Sequence, residues 1–211
     1  MKNDRRTRSI ATRLALGLLA TTTAGMLVWA GSSSQAAPVA KGAVPTAPAW
    51  QVLPGSTLGF RSSWNGSALT GGFKTWTADI HFDPAALGRS SVKVTVDLAT
   101  VSTDYYEAGE KLPNDSWFDV AKFPQAIFAA NRFESLGGDN YRASGTLSIK
   151  GISQPVTFPF RLTMDGDQAS MSAEIKLDRT QFGLGTDEYK GTDVIPAEVA
   201  VDVKLTAKRQ A

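Results

Sequence analysis

"SVKVTVDL", residues 91–98, decides the fold. Val92, Val94, Val96 and Leu98 alternate with Lys93, Thr95 and Asp97. Successive side chains of a strand point to opposite faces, so this stretch reads as a half-buried β-strand with one apolar face. The same period of two recurs along the chain. Leu58, Phe60, Ser62 and Trp64 form one such face, and Trp76, Ala78, Ile80 and Phe82 another. The run Ala126 to Phe133 follows, then Tyr141, Ala143, Gly145, Leu147 and Ile149. Val156, Phe158, Phe160, Leu162 and Met164 make the next, followed by Met171, Ala173, Ile175 and Leu177. With Val199, Val201, Val203 and Leu205, the count is eight candidate strands.

Turn chemistry sets their order. Asn65-Gly66 suits a two-residue hairpin whose central positions need positive φ. Gly137-Gly138-Asp139-Asn140, Lys150-Gly151 and Asp165-Gly166-Asp167 mark three later corners. Short turns make neighbours antiparallel. The longer connections are Asp83 to Ser90, Ser102 to Gln125 and Arg179 to Asp193; the first spells a helical turn capped by Asp83 and ended by Gly88. No long apolar helix pattern follows residue 36, so no helix covers a sheet face. Antiparallel strands in mostly up-and-down order then bury one face by closing on themselves. The expected fold is all-β, an eight-stranded antiparallel up-and-down barrel with short capping helices. Pro159 cannot donate to a ladder and marks a bulge or local edge.

The first 36 residues read as an export signal. Lys2, Arg5, Arg6, Arg8 and Arg13 form a basic region, Leu14 to Ala30 an apolar stretch, and the small residues Ser34 and Ala36 take the −3 and −1 positions of a cleavage after Ala36. The apolar stretch is 17 residues long and interrupted by Thr21, Thr22 and Thr23, short for a membrane span; uncleaved, it would anchor the chain. "DRRTRS" leaves a twin-arginine route open. The expected address is the periplasm or another extracytoplasmic space. "APVAKGAVPTAPA", residues 37–49, reads as an extended linker, and residues 50–211 as the barrel domain. Taking the leader's five Lys/Arg and one Asp from the chain totals of 22 and 20 leaves 17 basic and 19 acidic residues, net −2. Such a near-neutral surface carries no electrostatic footprint for nucleic acid. The chain has no cysteine, which excludes disulfides and thiolate chemistry. An exported domain without disulfides depends on its core, and roughly 160 residues suffice for one.

"NDSWFDVAKFPQAIF", residues 114–128, puts four large aromatics and a proline where a connection is expected. Asp115 or Ser116 would cap a short helix carrying Trp117, Val120 and Ala121 on one side, stopped by Pro124. Such a piece would close one mouth of the barrel and serve as plug or gate. An eight-stranded barrel either fills with its own side chains or holds one small ligand. Inward sets that mix Phe158 and Phe160 with Ala143, Gly145 and Ala173 favour a hollow; the alternative is a solid core in a non-enzymatic stress or structural module without ligand. The apolar pocket and its lid are expected from Phe60, Trp76, Val94, Val96, Trp117, Phe118, Phe123, Phe128, Leu147, Phe158, Phe160, Ile175 and Phe182. A nine-residue strand tilted by about 40° spans roughly 23 Å, which suits an elongated chain. Each methylene withdrawn from water contributes about 0.8 kcal/mol, so a fatty tail needs no charged anchor.

"WFDVAKFPQAIF", "YRASGTLSIKGISQPVTFPF", "LDRTQFGLGTDE" and "VAVDVKLTAK" resemble, in this order, the YceI-like family of bacterial lipid- or polyisoprenoid-binding proteins, similar in fold to lipocalins. The resemblance runs from about Trp50 to Lys208. It implies a periplasmic, non-enzymatic carrier or scavenger that holds a long isoprenoid, quinone or fatty amphiphile inside the barrel. Many relatives carry an Arg-Asp pair just before the aromatic block; here the region reads "STDYYEAGEKLPNDSW", more like the branch sometimes fused to a membrane cytochrome b domain. That branch implies a membrane electron-transport partner and leaves the headgroup open. Arg179 falls on the family's R-x-x-F-G block, where it would pair with Asp178 or Asp193 or meet a ligand headgroup.

Other chemistry is thinly represented. His81 alternates with Ile80 and Phe82 and should face outward, and no second histidine exists to build a common metal site. Asp104, Glu107, Glu110 and Asp115, and Asp187, Glu188 and Asp193, read as solvated loop charge without EF-hand spacing. No acid/base pair falls on the inward faces, so neither a catalytic residue, a metal nor a cofactor is expected.

Overall fold

The computed structural model describes residues 47–210. The expected leader, 1–36, and residues 37–46 of the expected linker lie outside the described residues. The strands are β1 (Ala49–Val52), β2 (Thr57–Trp64), β3 (Ser67–Phe73), β4 (Trp76–His81), β5 (Ser91–Asp97), β6 (Val101–Thr103), β7 (Gln125–Gly137), β8 (Asn140–Ile149), β9 (Ile152–Asp165), β10 (Gln168–Asp178) and β11 (Glu198–Arg209). Among the described residues one α-helix, α1 (Tyr106–Lys111), stands between β6 and β7.

All strands share one sheet, and eight of them close a ring in the order β1-β4-β5-β7-β8-β9-β10-β11, with β11 returning to β1. The other three are continuations. No more than four residues separate β1 from β2, β3 from β4, or β5 from β6. Each pair is therefore one long bent strand. β2 continues along β11, β3 along β2 and β6 along β3. Backbone hydrogen bonds from Lys74 to Thr100 and from Asp97 to Thr75 carry the ladder across two of the bends. The eight periodic runs of the sequence map onto the eight strands of the ring, three of them bent. Closure removes sheet edges and turns every second side chain towards one interior.

Local chemistry fixes the register. Asn65 and Gly66 both adopt positive φ, 48° and 79°, so Trp64 pairs directly with Ser67 across a tight hairpin. A one-residue slip there would turn Phe60 and Trp64 out to water. The β9–β10 ladder stops at Arg161 opposite Ser172, two residues short of Pro159. Upstream of that point β9 pairs only with β8, which leaves a seam beside β10. Pro159 thus lies at the local edge that its missing N–H called for.

Three expectations need correction. The stretch read as linker ends earlier than Ala49: Ala47 is buried, its carbonyl contacts His81 Nδ1 at 3.1 Å, and the Pro48 carbonyl accepts from Phe82 N. In the first long connection the helical residues are Leu87–Arg89, so Gly88 sits inside the turn rather than ending it. No helix forms over 115–122; the helix is α1, further upstream. Asp119 stands at φ 49°, which breaks any helix through Trp117 and Val120. The segment is a chain of tight turns closed by bonds such as Phe118 N to Leu112 O and Val120 N to Pro113 O.

Candidate functional site

The interior is not filled. A cavity of about 300 Å³ runs between two aromatic plugs. At one end Phe82 packs edge-on against Phe133, Tyr141 and Phe160, with ring centroids 5.4, 5.7 and 6.1 Å away. At the other, the connections after β6 and β10 fold inward, and Trp117, Phe118, Leu112, Phe182, Leu184 and Ile195 form the cover. Between the plugs, inward residues such as Trp76, Ala78, Val94, Phe128, Leu147, Ile175 and Val201 line the hollow and remain only half-buried, because their free surface faces it. In a packed core the same positions would be buried.

Of the residues expected at the pocket, Phe60, Trp76, Val94, Val96, Phe128, Leu147, Phe158, Phe160 and Ile175 line the cavity from the wall. Trp117, Phe118 and Phe182 line it from the cover. Phe123 does not. It lies outside against the β8–β9 turn, where its ring approaches within 2.9 Å of the position a Cβ would take at Gly151. The reversal at Asp119 turns the chain, so Phe123 no longer shares a face with Trp117. Leu98, the last residue of the run that opens with Val92, lines the cavity too, whereas sequence reasoning missed Ala108, Leu112, Leu184 and Ile195, which reach it from connections without strand periodicity.

Arg179 is a cornerstone of the cover. It is 3% exposed and donates to five backbone carbonyls: Nε to Pro196, Nη1 to Leu184, and Nη2 to Tyr189, Gly191 and Ile195. Its guanidinium thereby holds the 184–196 connection in place. Burial pushes its pKa down, while the nearby charges of Asp178 and Asp187 oppose that shift. Neither of the carboxylate pairings expected for it, with Asp178 or Asp193, forms a salt bridge; Asp178 instead caps the turn that follows by accepting from Thr180 N. Gly185 (φ 75°) leaves room for this cluster, since a Cβ there would lie 2.6 Å from Arg179 Nη1 and 3.2 Å from Trp117.

The cover is also latched from outside. Lys111 of α1 pairs with Glu188 and lies 4.9 Å over the Tyr189 ring, which in turn packs 4.7 Å from Trp64 and 6.2 Å from Trp117. The Glu188 bond pushes the Lys111 pKa up and the Lys111 bond holds Glu188 down. His81 pairs with Asp79 at 3.3 Å and is not among the cavity residues. Among the described residues, no three His, Asp or Glu side chains converge as metal ligands do.

Fold and site together define a closed antiparallel barrel with one elongated apolar chamber. The YceI-like domain family matches residues 50–207, and the chain belongs to that family. Protein YceI of Salmonella arizonae is 32% identical over 142 residues, covering 64% of this chain and 74% of its own. The crystal structure of Burkholderia cenocepacia BcnA superposes with a TM-score of 0.69 at 29% identity, over 72% of this chain and 96% of that one. A polyisoprenoid binding domain from Saccharophagus degradans, implicated in plant cell wall breakdown, shares the fold with a TM-score of 0.62 at 17% identity, over 77% and 99% of the two chains.

Proposed function

We propose that this protein is an exported, non-enzymatic carrier or scavenger that holds a polyisoprenoid, quinone or other long amphiphile inside its barrel. The cavity carries this reading. At about 24 cal/mol per Å³, an empty hollow of 300 Å³ corresponds to roughly 7 kcal/mol of lost packing. That is comparable to the whole stability of a domain, about 5–15 kcal/mol. A ligand that fills the space offsets the loss. The volume falls at the lower end of small-molecule pockets, about 300–1,000 Å³. Its lining contains no Asp, Glu, His or Lys, and Arg179 is committed to carbonyls, so it offers binding rather than acid/base work. The polyisoprenoid-binding relative of the same fold agrees in ligand class. The leader supports release to the periplasm after cleavage near Ala36, where a membrane electron-transport protein is a fitting partner for quinone cargo.

Native mass spectrometry of protein isolated without detergent from an export host is the test. The expected result is a chain starting after Ala36 with one extractable apolar molecule bound. Protein that is uniformly empty, and that also takes up no added isoprenoid, would end the proposal in favour of a ligand-free structural module.

A further inference from the structure

We infer that the barrel has a side opening between β1 and β4, through which the tail of a ligand longer than the chamber emerges into an outer groove. This rests on the proposed function and adds where a long chain goes. The chamber alone is short of room. Its 300 Å³ equals about ten waters at ~30 Å³ each, so it holds about ten carbons, two isoprene units. One end is blocked by the packed rings around Phe82, the other by a cover that Arg179 braces through five carbonyls. A longer chain needs another way out.

The wall offers one at a seam. β1 pairs with β4 only at Ala49–His81 and Trp50–Ile80, and the continuing strands meet again at Gly59–Gly72. Among the described residues, no backbone hydrogen bond joins 51–58 to 73–79. The cause is local. Leu53 N donates to Thr206 O, Ser56 N turns back to Leu53 O, and Ser56 Oγ accepts from Thr206 N, so the bend is tied to β11 rather than to β4. A groove lies along the seam, and Trp50, Trp76, Ala78 and Ile80 border both groove and chamber. Parting the side chains there breaks no ladder bond, whereas a paired stretch of wall would have to lose several. The groove suits an apolar tail: Val52, Leu53 and Pro54 line it, and among the described residues Asp79 is its one charge. The seam starts beside the Phe82 plug, where Trp50 and Ile80 pack, so it serves the end of the chain remote from the cover. The strands part between β9 and β10 as well, but buried Phe158 stands there, packed on Phe128.

A bulky cap over the groove decides the matter. The chain has no cysteine, so one introduced thiol takes one maleimide. Thr77 is exposed and lines the groove, and Thr77→Cys carries the cap. Thr157→Cys, equally exposed on β9 across the ring, is the control. Geraniol (C10) and hexaprenol (C30) are titrated against delipidated protein. Uncapped Thr77→Cys should bind hexaprenol at least about tenfold tighter than geraniol, because its extra carbons lie in the groove. The cap at position 77 should weaken hexaprenol about tenfold and leave geraniol within about twofold. The cap at position 157 should change neither. Hexaprenol binding no tighter than geraniol, an equal loss for both prenols, or hexaprenol indifferent to the cap at 77 or equally sensitive to the one at 157 would overturn the side opening while leaving a lipid chamber intact. Failure of both prenols to bind uncapped protein would overturn the chamber itself.

Discussion

Ala78→Phe tests the hollow most directly. Ala78 lies on the inward face of β4 opposite Val94, half-buried and lining the cavity. In a packed core such an enlargement costs about 1–3 kcal/mol. Here the new ring has space to enter. If it occupies on the order of a quarter of the 300 Å³, it recovers about 2 kcal/mol at ~24 cal/mol per Å³. For a domain of this size each kcal/mol shifts Tm by about 2–4 °C, so the ligand-free variant should melt roughly 4–8 °C above ligand-free wild type. Binding should move the other way, because the ring takes the place of several methylenes at about 0.8 kcal/mol each. Delipidated protein, scanning calorimetry and titration with a C20 isoprenoid measure both quantities. A lower Tm together with unchanged affinity would refute the claim of an open interior.

Further outcomes follow from the cover and the outer wall. Arg179→Ala should destabilise the domain by about 3–5 kcal/mol in urea, since buried carbonyls of the 184–196 connection lose their donor, and Arg179→Lys should rescue little because an ammonium cannot reproduce the planar fork. Glu188→Ala should leave stability within about 0.5 kcal/mol, since its pair with Lys111 is exposed, yet speed isoprenoid release in stopped-flow fluorescence by unlatching α1. Bonds from Arg61 hold the Asp202 carboxyl below its ordinary range, and bonds from Thr180 do the same for Asp178. A depressed folded pKa contributes stability above the unfolded value near 4 and loses it as pH falls through the folded value. Thermal melts should therefore be flat from neutrality down to about pH 4.5 and decline below about pH 4, more shallowly in Asp202→Asn.

Much of this architecture was open to a reader of the chain alone. Val92, Val94 and Val96 announce their strand because a pleat exposes alternate faces, and Asn65-Gly66 announces its turn because few other residues accept two positive φ values in succession. The inward residues of the cavity wall follow from the same period. Where the period lapses, so did the reading. Phe123 and Trp117 looked alike in one aromatic stretch, but beyond the left-handed backbone of Asp119 they part, Trp117 into the cover and Phe123 against the β8–β9 turn. Arg179 looked equally ready for a carboxylate or a headgroup; its five carbonyl partners lie up to 17 residues further along the chain.

Sequence by itself determined the strands, their antiparallel order and which side chains face inward, because those depend on neighbours one or two positions apart. The tertiary structure decided that the ring closes around empty space and that three strands bend to lengthen it. Those outcomes depend on how far apart opposite walls stand, a distance set by the whole ring at once and by no local segment of the chain.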